Sequence, residues 1–293
     1  MNRINHANGT VDCIDTGIGH PVVLAHSSAI GNWQWRRLIE DFGGQRRALA
    51  VNLHGYGATP AWPEGQPQSL DAQAALIERV VAGTSGPIAI VGHSLGGAVA
   101  MKAALRLADR VAALVLIEPN PFYLLAQHGR TEAYAEIDRL YLLTKARGGA
   151  DGWAHAGASF ADYWNGSGSW DAMPEDRRKA FLALLHNTYH EWDAVMGETT
   201  PISAYEVLAE RTLLMVAHGT RRPIREIGEI MIEHLPGLHI APITSGGHMA
   251  PLKNAAEVNA RIVAFLDHML PVEPRAAGAA PAAKRYSAVP RAL

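Results

Sequence analysis

The stretch Pro87-Ile88-Ala89-Ile90-Val91-Gly92-His93-Ser94-Leu95-Gly96-Gly97 decides how the chain is read. It begins as an apolar run and passes through Gly-x-Ser-x-Gly into a helical run that starts near Leu95. A serine on a tight strand-to-helix turn needs small neighbours two residues to either side, because larger ones would clash across the turn. Gly92 and Gly96 meet that need, and Ser94 Oγ then stands at the carboxyl end of a strand as a candidate nucleophile. The N–H of Leu95, in the first turn of the helix, points to where an oxyanion would form. The competing account is a glycine-rich turn with an incidental serine.

Working outward, the apolar runs Pro21–Ala25, Ala48–Leu53 and Val111–Ile117 read as strands buried on both faces. Between them run helical spacings: Trp35, Leu38, Ile39 and Phe42, then Ala74, Ile77, Val80 and Val81. Asn8-Gly9 is a hairpin signal between strands at about 3–7 and 10–15. Strands alternating with helices imply a parallel sheet covered on both sides. The alternation stops over 119–205, where many of the aromatic residues lie, and this block reads as a helical insertion. It resumes with a strand at Thr212–Ala217, a helix from about Pro223 and a strand at Leu238–Ile243. A final helix follows, for which Asn254 is an N-cap candidate. The expected boundaries are therefore a first core segment (1–118), a helical cap (119–205) and a second core segment (206–270). From Pro271 to Leu293 the Ala/Pro-rich chain has too little to bury and is expected to be disordered.

Composition narrows the function classes. The 293 residues are 48% hydrophobic and 18% charged with a net charge of −2, which gives no sign of a nucleic-acid surface. No apolar run approaches the roughly 20 residues of a membrane span, and the N-terminus has no signal-peptide core, so a cytoplasmic protein is expected. The single cysteine, Cys13, lies in an alternating strand-like run and is expected to be structural. His186 and His190, spaced i, i+4, lack an obvious third ligand, so no metal is expected, and no motif calls for a cofactor.

Taken together, the strand ending at His26-Ser27-Ser28, the Gly55-Tyr56-Gly57 turn, the Ser94 elbow, the insertion and the late Gly247-His248 resemble the α/β-hydrolase fold superfamily over all but the tail. The resemblance implies a mostly parallel eight-stranded sheet flanked by helices, with a helical cap. It also implies roles for single residues. Of the fourteen histidines, His248 falls where the family keeps its general base, while His26 and His93 read as structural or site-lining. The N–H of Ser28 would join that of Leu95 in an oxyanion hole. The acid usually follows the strand that is Thr212–Ala217 here, but Arg222 occupies its place, and a guanidinium cannot accept an imidazole N–H. Glu118, at the end of the preceding strand, resembles the acid of branches such as the haloalkane dehalogenases; Glu226 and Glu229 are weaker substitutes. The aspartate nucleophile of the dehalogenases, and of the epoxide hydrolases, does not match Ser94. The resemblance thus implies hydrolysis of a carboxylic ester or thioester of a small, largely apolar substrate through an acyl-enzyme. A cofactor-free lyase, a C–C hydrolase, an acyltransferase or a receptor-like binding protein on the same fold are the alternatives, and oligomeric state is left open.

Overall fold

The computed structural model describes residues 2–6, 9–147 and 151–272, with side chains described from Val11 onward. Eight strands form one sheet: β1 (Asn2–His6), β2 (Gly9–Thr16), β3 (Pro21–Ala25), β4 (Arg47–Val51), β5 (Ile88–His93), β6 (Val111–Ile117), β7 (Thr212–Met215) and β8 (His239–Ile240). Their order is β1-β2-β4-β3-β5-β6-β7-β8. The pairs β1/β2 and β2/β4 are antiparallel and the remainder parallel. The β1/β2 hairpin closes at His6 opposite Gly9; Asn8 of the expected turn lies outside the described residues, as does the expected disordered tail from residue 273 on.

The central strands are apolar without alternation because each face is covered. Val23, Ala25, Ile88, Ile90, Leu114 and Leu116 pack toward α2 (Leu70–Val81) and α3 (Leu95–Arg106). Their neighbours Val22, Leu24, Ala89, Val91, Val115 and Ile117 pack on the other face, with residues flanking and within α1 (Arg36–Asp41) and α11 (Ala255–Met269). Between β6 and β7 the described residues form five helices: α4 (Tyr123–Gln127), α5 (Thr131–Lys145), α6 (Gly152–Asn165), α7 (Glu175–Leu185) and α8 (Thr188–Gly197). Helices α9 (Arg222–His234) and α10 (Ala250–Lys253) complete the set. Among the described residues no helix is long and apolar enough to cross a membrane.

Two local expectations need correction. The strand expected over Leu238–Ile243 shrinks to His239–Ile240 and one further bridge at Ile243, because it is an edge strand with both residues exposed. Asn254 stands at the N-cap of α11, but its side chain donates to Ser245 Oγ (2.9 Å) and Glu257 Oε2 (2.5 Å) instead of accepting a backbone N–H. In β2, Asp12 is buried beside Cys13: its carboxylate accepts from Asn52 Nδ2 (3.0 Å) and the Ala58 N–H (2.9 Å), pinning the turn that holds Tyr56. Cys13 is a buried strand residue, and burial beside Asp15 and Asp12 raises its thiol pKa, so it stays protonated.

The elbow depends on close backbone approach. A Cβ on Gly96 would stand 2.1 Å from the Ala25 carbonyl oxygen, and one on Gly92 would stand 2.1 Å from the Gly96 carbonyl oxygen. Backbone cannot yield as the end of a side chain can, so Gly96→Ala is expected to lower stability by about 2 kcal/mol or more. A fall in the denaturant midpoint at unchanged m-value would register it.

Candidate active site

Ser94 carries the strain of the elbow, at φ 54 and ψ −119. The strand register continues through it: its N–H donates to the Ile117 carbonyl at 3.0 Å, and its own carbonyl accepts from Gly97 (2.8 Å) and Ala98 (3.1 Å) in the first turn of α3. Leu95, as the first residue of that helix, has an N–H with no acceptor four residues back.

His248 comes from the short 3₁₀ turn Gly247–Met249 that leads into α10. Its Nε2 lies 2.9 Å from Ser94 Oγ and its Nδ1 lies 3.2 Å from Glu118 Oε2. These distances match Ser94 donating to Nε2 and an Nδ1–H donating to the carboxylate. Glu118 is fully buried and has a left-handed backbone, φ 48. Its N–H donates to the Met215 carbonyl (2.9 Å), which prolongs the β6/β7 pairing by one residue and turns the side chain toward His248. Glu118 Oε1 accepts the Ala217 N–H at 2.6 Å, and Oε2 also accepts the Thr220 hydroxyl. Thr220 was not singled out by sequence. The only signal for it was its place on the loop that lacked an acid.

Arg222, at the end of that loop and the first residue of α9, pairs with Glu132 on α5. Glu226 and Glu229 face Arg222 (3.8 Å) and Arg225 (3.5 Å) along α9, and Glu118 is the carboxylate that reaches His248.

Both histidines near the elbow have an assigned proton. The Leu53 N–H donates to His26 Nε2 (3.1 Å), which leaves the Nδ1–H to donate to the Ser27 carbonyl (2.8 Å). His93 donates its Nε2–H to the His248 carbonyl at 2.8 Å, so it fixes the backbone of the residue that faces Ser94. Burial drives the His93 pKa far below its ordinary value and that of His26 down to about 4. Trp164 of α6 lies over the His248 ring, with centroids 4.1 Å apart.

Ser28 lies on the loop after β3 and shares one cavity with Ser94, Leu95 and His248. That loop is firmly held. Ser27 donates its N–H and its hydroxyl to Gln34 Oε1 (both 3.0 Å), and the Ala29 N–H donates to Tyr56 Oη at 2.8 Å. Tyr56 Oη–H in turn donates to Glu191 Oε1 of α8 at 2.6 Å. Phe160, Trp164, Phe181 and Trp192 form aromatic walls, and among the described residues no lysine or arginine lines the space. Among the described residues no group of three or more His, Cys, Asp or Glu is placed to hold a metal ion; His186 lies edge-on to Trp153.

Comparison with known proteins gives a consistent fold. A model of the "Alpha/beta hydrolase family" matches residues 22–261, a range that contains Ser28, Ser94, Glu118 and His248. A 2-hydroxy-6-oxo-2,4-heptadienoate hydrolase of Pseudomonas putida is 33% identical over 107 residues, covering 35% of this chain and 38% of that protein. A pimeloyl-[acyl-carrier protein] methyl ester esterase of Nitrosomonas europaea is 31% identical over 37% of this chain and 40% of that protein. The matched stretches thus span well under half the length of these relatives. Among solved structures, an esterase from Exiguobacterium antarcticum superposes with a TM-score of 0.71 at 20% identity, covering 90% of this chain and 98% of that one.

The histidine tautomers predict a titration. Because folded His26 titrates near 4 and an unfolded histidine near 6.5, the unfolded chain binds more protons between those values. Its contribution to stability is therefore complete above pH 6.5 and is lost as pH falls toward 4. Glu191, raised to about 7 from 4.5, acts in the opposite sense over an overlapping window, so whole-protein unfolding curves would blend the two. NMR of the His26 ring is the clean measurement: the ring is expected to stay neutral down to about pH 5 with its proton on Nδ1.

Proposed function

The chain belongs to the alpha/beta hydrolase family, and within it we propose a serine hydrolase that cleaves a carboxylic ester of a small, largely apolar substrate through an acyl-enzyme. The observation that carries this reading is the continuous hydrogen-bonded line from Ser94 Oγ through both nitrogens of His248 to buried Glu118. A serine hydroxyl is a weak nucleophile until a base takes its proton, and the imidazolium that forms needs a fixed anion behind it.

The steps follow from that line. Ser94 Oγ attacks the ester carbonyl carbon while its proton passes to His248 Nε2. The oxyanion is received by the N–H groups of Leu95 and Ser28. His248 then gives the proton to the leaving alkoxide, and the C–O bond breaks to leave the acyl-enzyme. Water enters, His248 removes its proton, and collapse of the second tetrahedral intermediate frees the acid and restores Ser94. Glu118 remains a carboxylate throughout, holding the Nδ1–H tautomer. The five helices between β6 and β7 act as a cap, with aromatic walls that suit an acyl or aryl group.

The heptadienoate hydrolase among the relatives suggests a C–C bond as an alternative. An ester fits better, because a carboxylate-bearing substrate would find no lysine or arginine among the described residues of the cavity lining. A fluorophosphonate probe is expected to label Ser94, and Ser94→Ala to abolish both labelling and ester hydrolysis. Glu118→Gln, which loses the anion yet keeps the shape, is expected to lower kcat by about 10⁴-fold. Undiminished hydrolysis in Ser94→Ala would sink the proposal. Product analysis with and without an added alcohol acceptor separates hydrolysis from acyl transfer.

A further inference from the structure

Three polar groups in the wall of the cavity are left without a protein partner: the acceptors Glu191 Oε2 and Asn120 Oδ1, and the Trp192 Nε1–H donor. Glu191 is 3% exposed and Asn120 6% exposed, and both line the space that holds Ser94 and His248. Glu191 Oε1 is occupied by the Tyr56 hydroxyl, but Glu191 Oε2 has no hydrogen-bond partner, and neither has Asn120 Oδ1. They reach the cavity from opposite sides of the chain's organisation, Glu191 from α8 and Asn120 from the turn that follows Glu118. Apart from the Trp192 N–H, the other described residues that enclose this space are apolar, aromatic, hydroxyl or amide groups, or His248 itself.

A buried acceptor without a donor is destabilising, the more so when it is charged. Burial raises the Glu191 carboxyl to about pH 7, although the Ser28 and Tyr56 hydroxyls pull it down. That is the behaviour of a carboxyl group with too few donors around it. The Tyr56 phenol cannot supply a second one: it has a single proton, already given to Oε1, and it accepts the Ala29 N–H with its oxygen; the Ser28 hydroxyl also faces Glu191 but makes no hydrogen bond with Oε2. The complement to two unpartnered acceptors is a ligand that brings its own O–H or N–H.

We propose that Glu191 and Asn120 form a recognition subsite for a hydrogen-bond donor, a hydroxyl or an amine, carried by the substrate away from the reacting carbonyl. This rests on the acyl-transfer reading of the site and refines it: the substrate is an otherwise apolar ester that bears one such donor. A site that leaves a buried acceptor unpaired discriminates against the analogue lacking the donor. Glu191 recognises substrate here and takes no part in bond making, while Tyr56 holds both Glu191 and the Ala29 end of the oxyanion loop in position.

The test compares matched esters by pH-stat. Methyl hexanoate is set against methyl 3-hydroxyhexanoate, 6-hydroxyhexanoate and 6-aminohexanoate, and butyl hexanoate against 4-hydroxybutyl hexanoate, so that acyl and alcohol sides are both sampled. At least one donor-bearing ester is expected to exceed its parent about tenfold or more in kcat/KM. In Glu191→Met that ratio is expected to fall to within about twofold of unity, and Asn120→Leu to reduce it. Glu191→Gln separates the two donors: a neutral hydroxyl keeps its preference against the amide oxygen, whereas an ammonium loses it. Tyr56→Phe, which releases both Glu191 and the oxyanion loop, is expected to slow all the esters together and to lower the ratio less than Glu191→Met does, as a positioning role requires. The proposal is overturned if no donor-bearing ester exceeds its parent, or if the preference survives Glu191→Met. The same ratio can be read without turnover, by quenching of the tryptophans that line the cavity when the esters bind the Ser94→Ala protein. A failure of the acyl-transfer reading, seen as hydrolysis persisting in Ser94→Ala, is thereby kept apart from a failure of this one.

Discussion

A carboxyl group shut away from solvent governs how the carboxyl ends of three strands meet. Glu118 is fully buried and is bonded by the Ala217 N–H, the Thr220 hydroxyl and the His248 imidazole. An ionised group in such a place costs several kcal/mol unless its oxygens are well supplied with donors. The donors arrive on two segments, the loop after β7 with Ala217 and Thr220 and the turn before α10 with His248, so satisfying one carboxylate at the end of β6 fixes the mutual position of all three. The left-handed backbone of Glu118, φ 48, and that of Ser94, φ 54, persist under the same constraint. Strand pairing that runs past the ends of β5 and β6, through the Ser94 N–H to Ile117 and the Glu118 N–H to Met215, over-determines both conformations.

The sheet and its covering helices were legible because their signals are local. Runs such as Val111–Ile117 are apolar at every position since both faces of the sheet are covered, and the spacing through Leu38 and Phe42 reflects a helix packed on one side. The elbow was legible for the same reason: Gly92 and Gly96 are demanded by contacts within a few residues of the turn and by the adjacent end of β3. What escaped was set by partners remote in sequence. Nothing in the run through Asp12 marks it as buried, because the groups it bonds lie on the turn after β4. The link from Tyr56 to Glu191 spans 135 positions. With neighbours His190 and Trp192 equally buried, α8 has no clear polar face from which the direction of Glu191 can be read. The cavity has aromatic walls, and that carboxyl stands among them without a signal in the sequence.

Arg222 clarifies how an unusual residue in the loop after β7 is accommodated. The loop supplies no acid to the histidine, yet it supplies two donors to the acid that is present, Ala217 and Thr220. The next two residues turn outward to the helices between β6 and β7. Arg221 donates to the Tyr163 carbonyl at 2.7 Å and Arg222 pairs with Glu132 of α5. Arg130, just before α5, returns the contact by pairing with Glu233 of α9 at 2.9 Å.

Exposed pairs of this kind contribute little singly, about 0–1 kcal/mol each, and their screening by salt leaves them adjustable. Their placement matters more than their strength. A single corner of the chain holds Glu118 from beneath and α5 and α6 from above, and α6 is the helix that lays Trp164 over His248. The histidine is thus confined between a carboxylate and an indole whose positions are set from the same few residues, 217 to 222. Any displacement of α6 must either part Trp164 from the imidazole or pull on Arg221, and through it on the loop whose N–H and hydroxyl satisfy the buried acid. The covering helices and the Ser94–His248–Glu118 line are in this way one mechanical unit, joined at the corner where an arginine stands in place of the usual carboxylate.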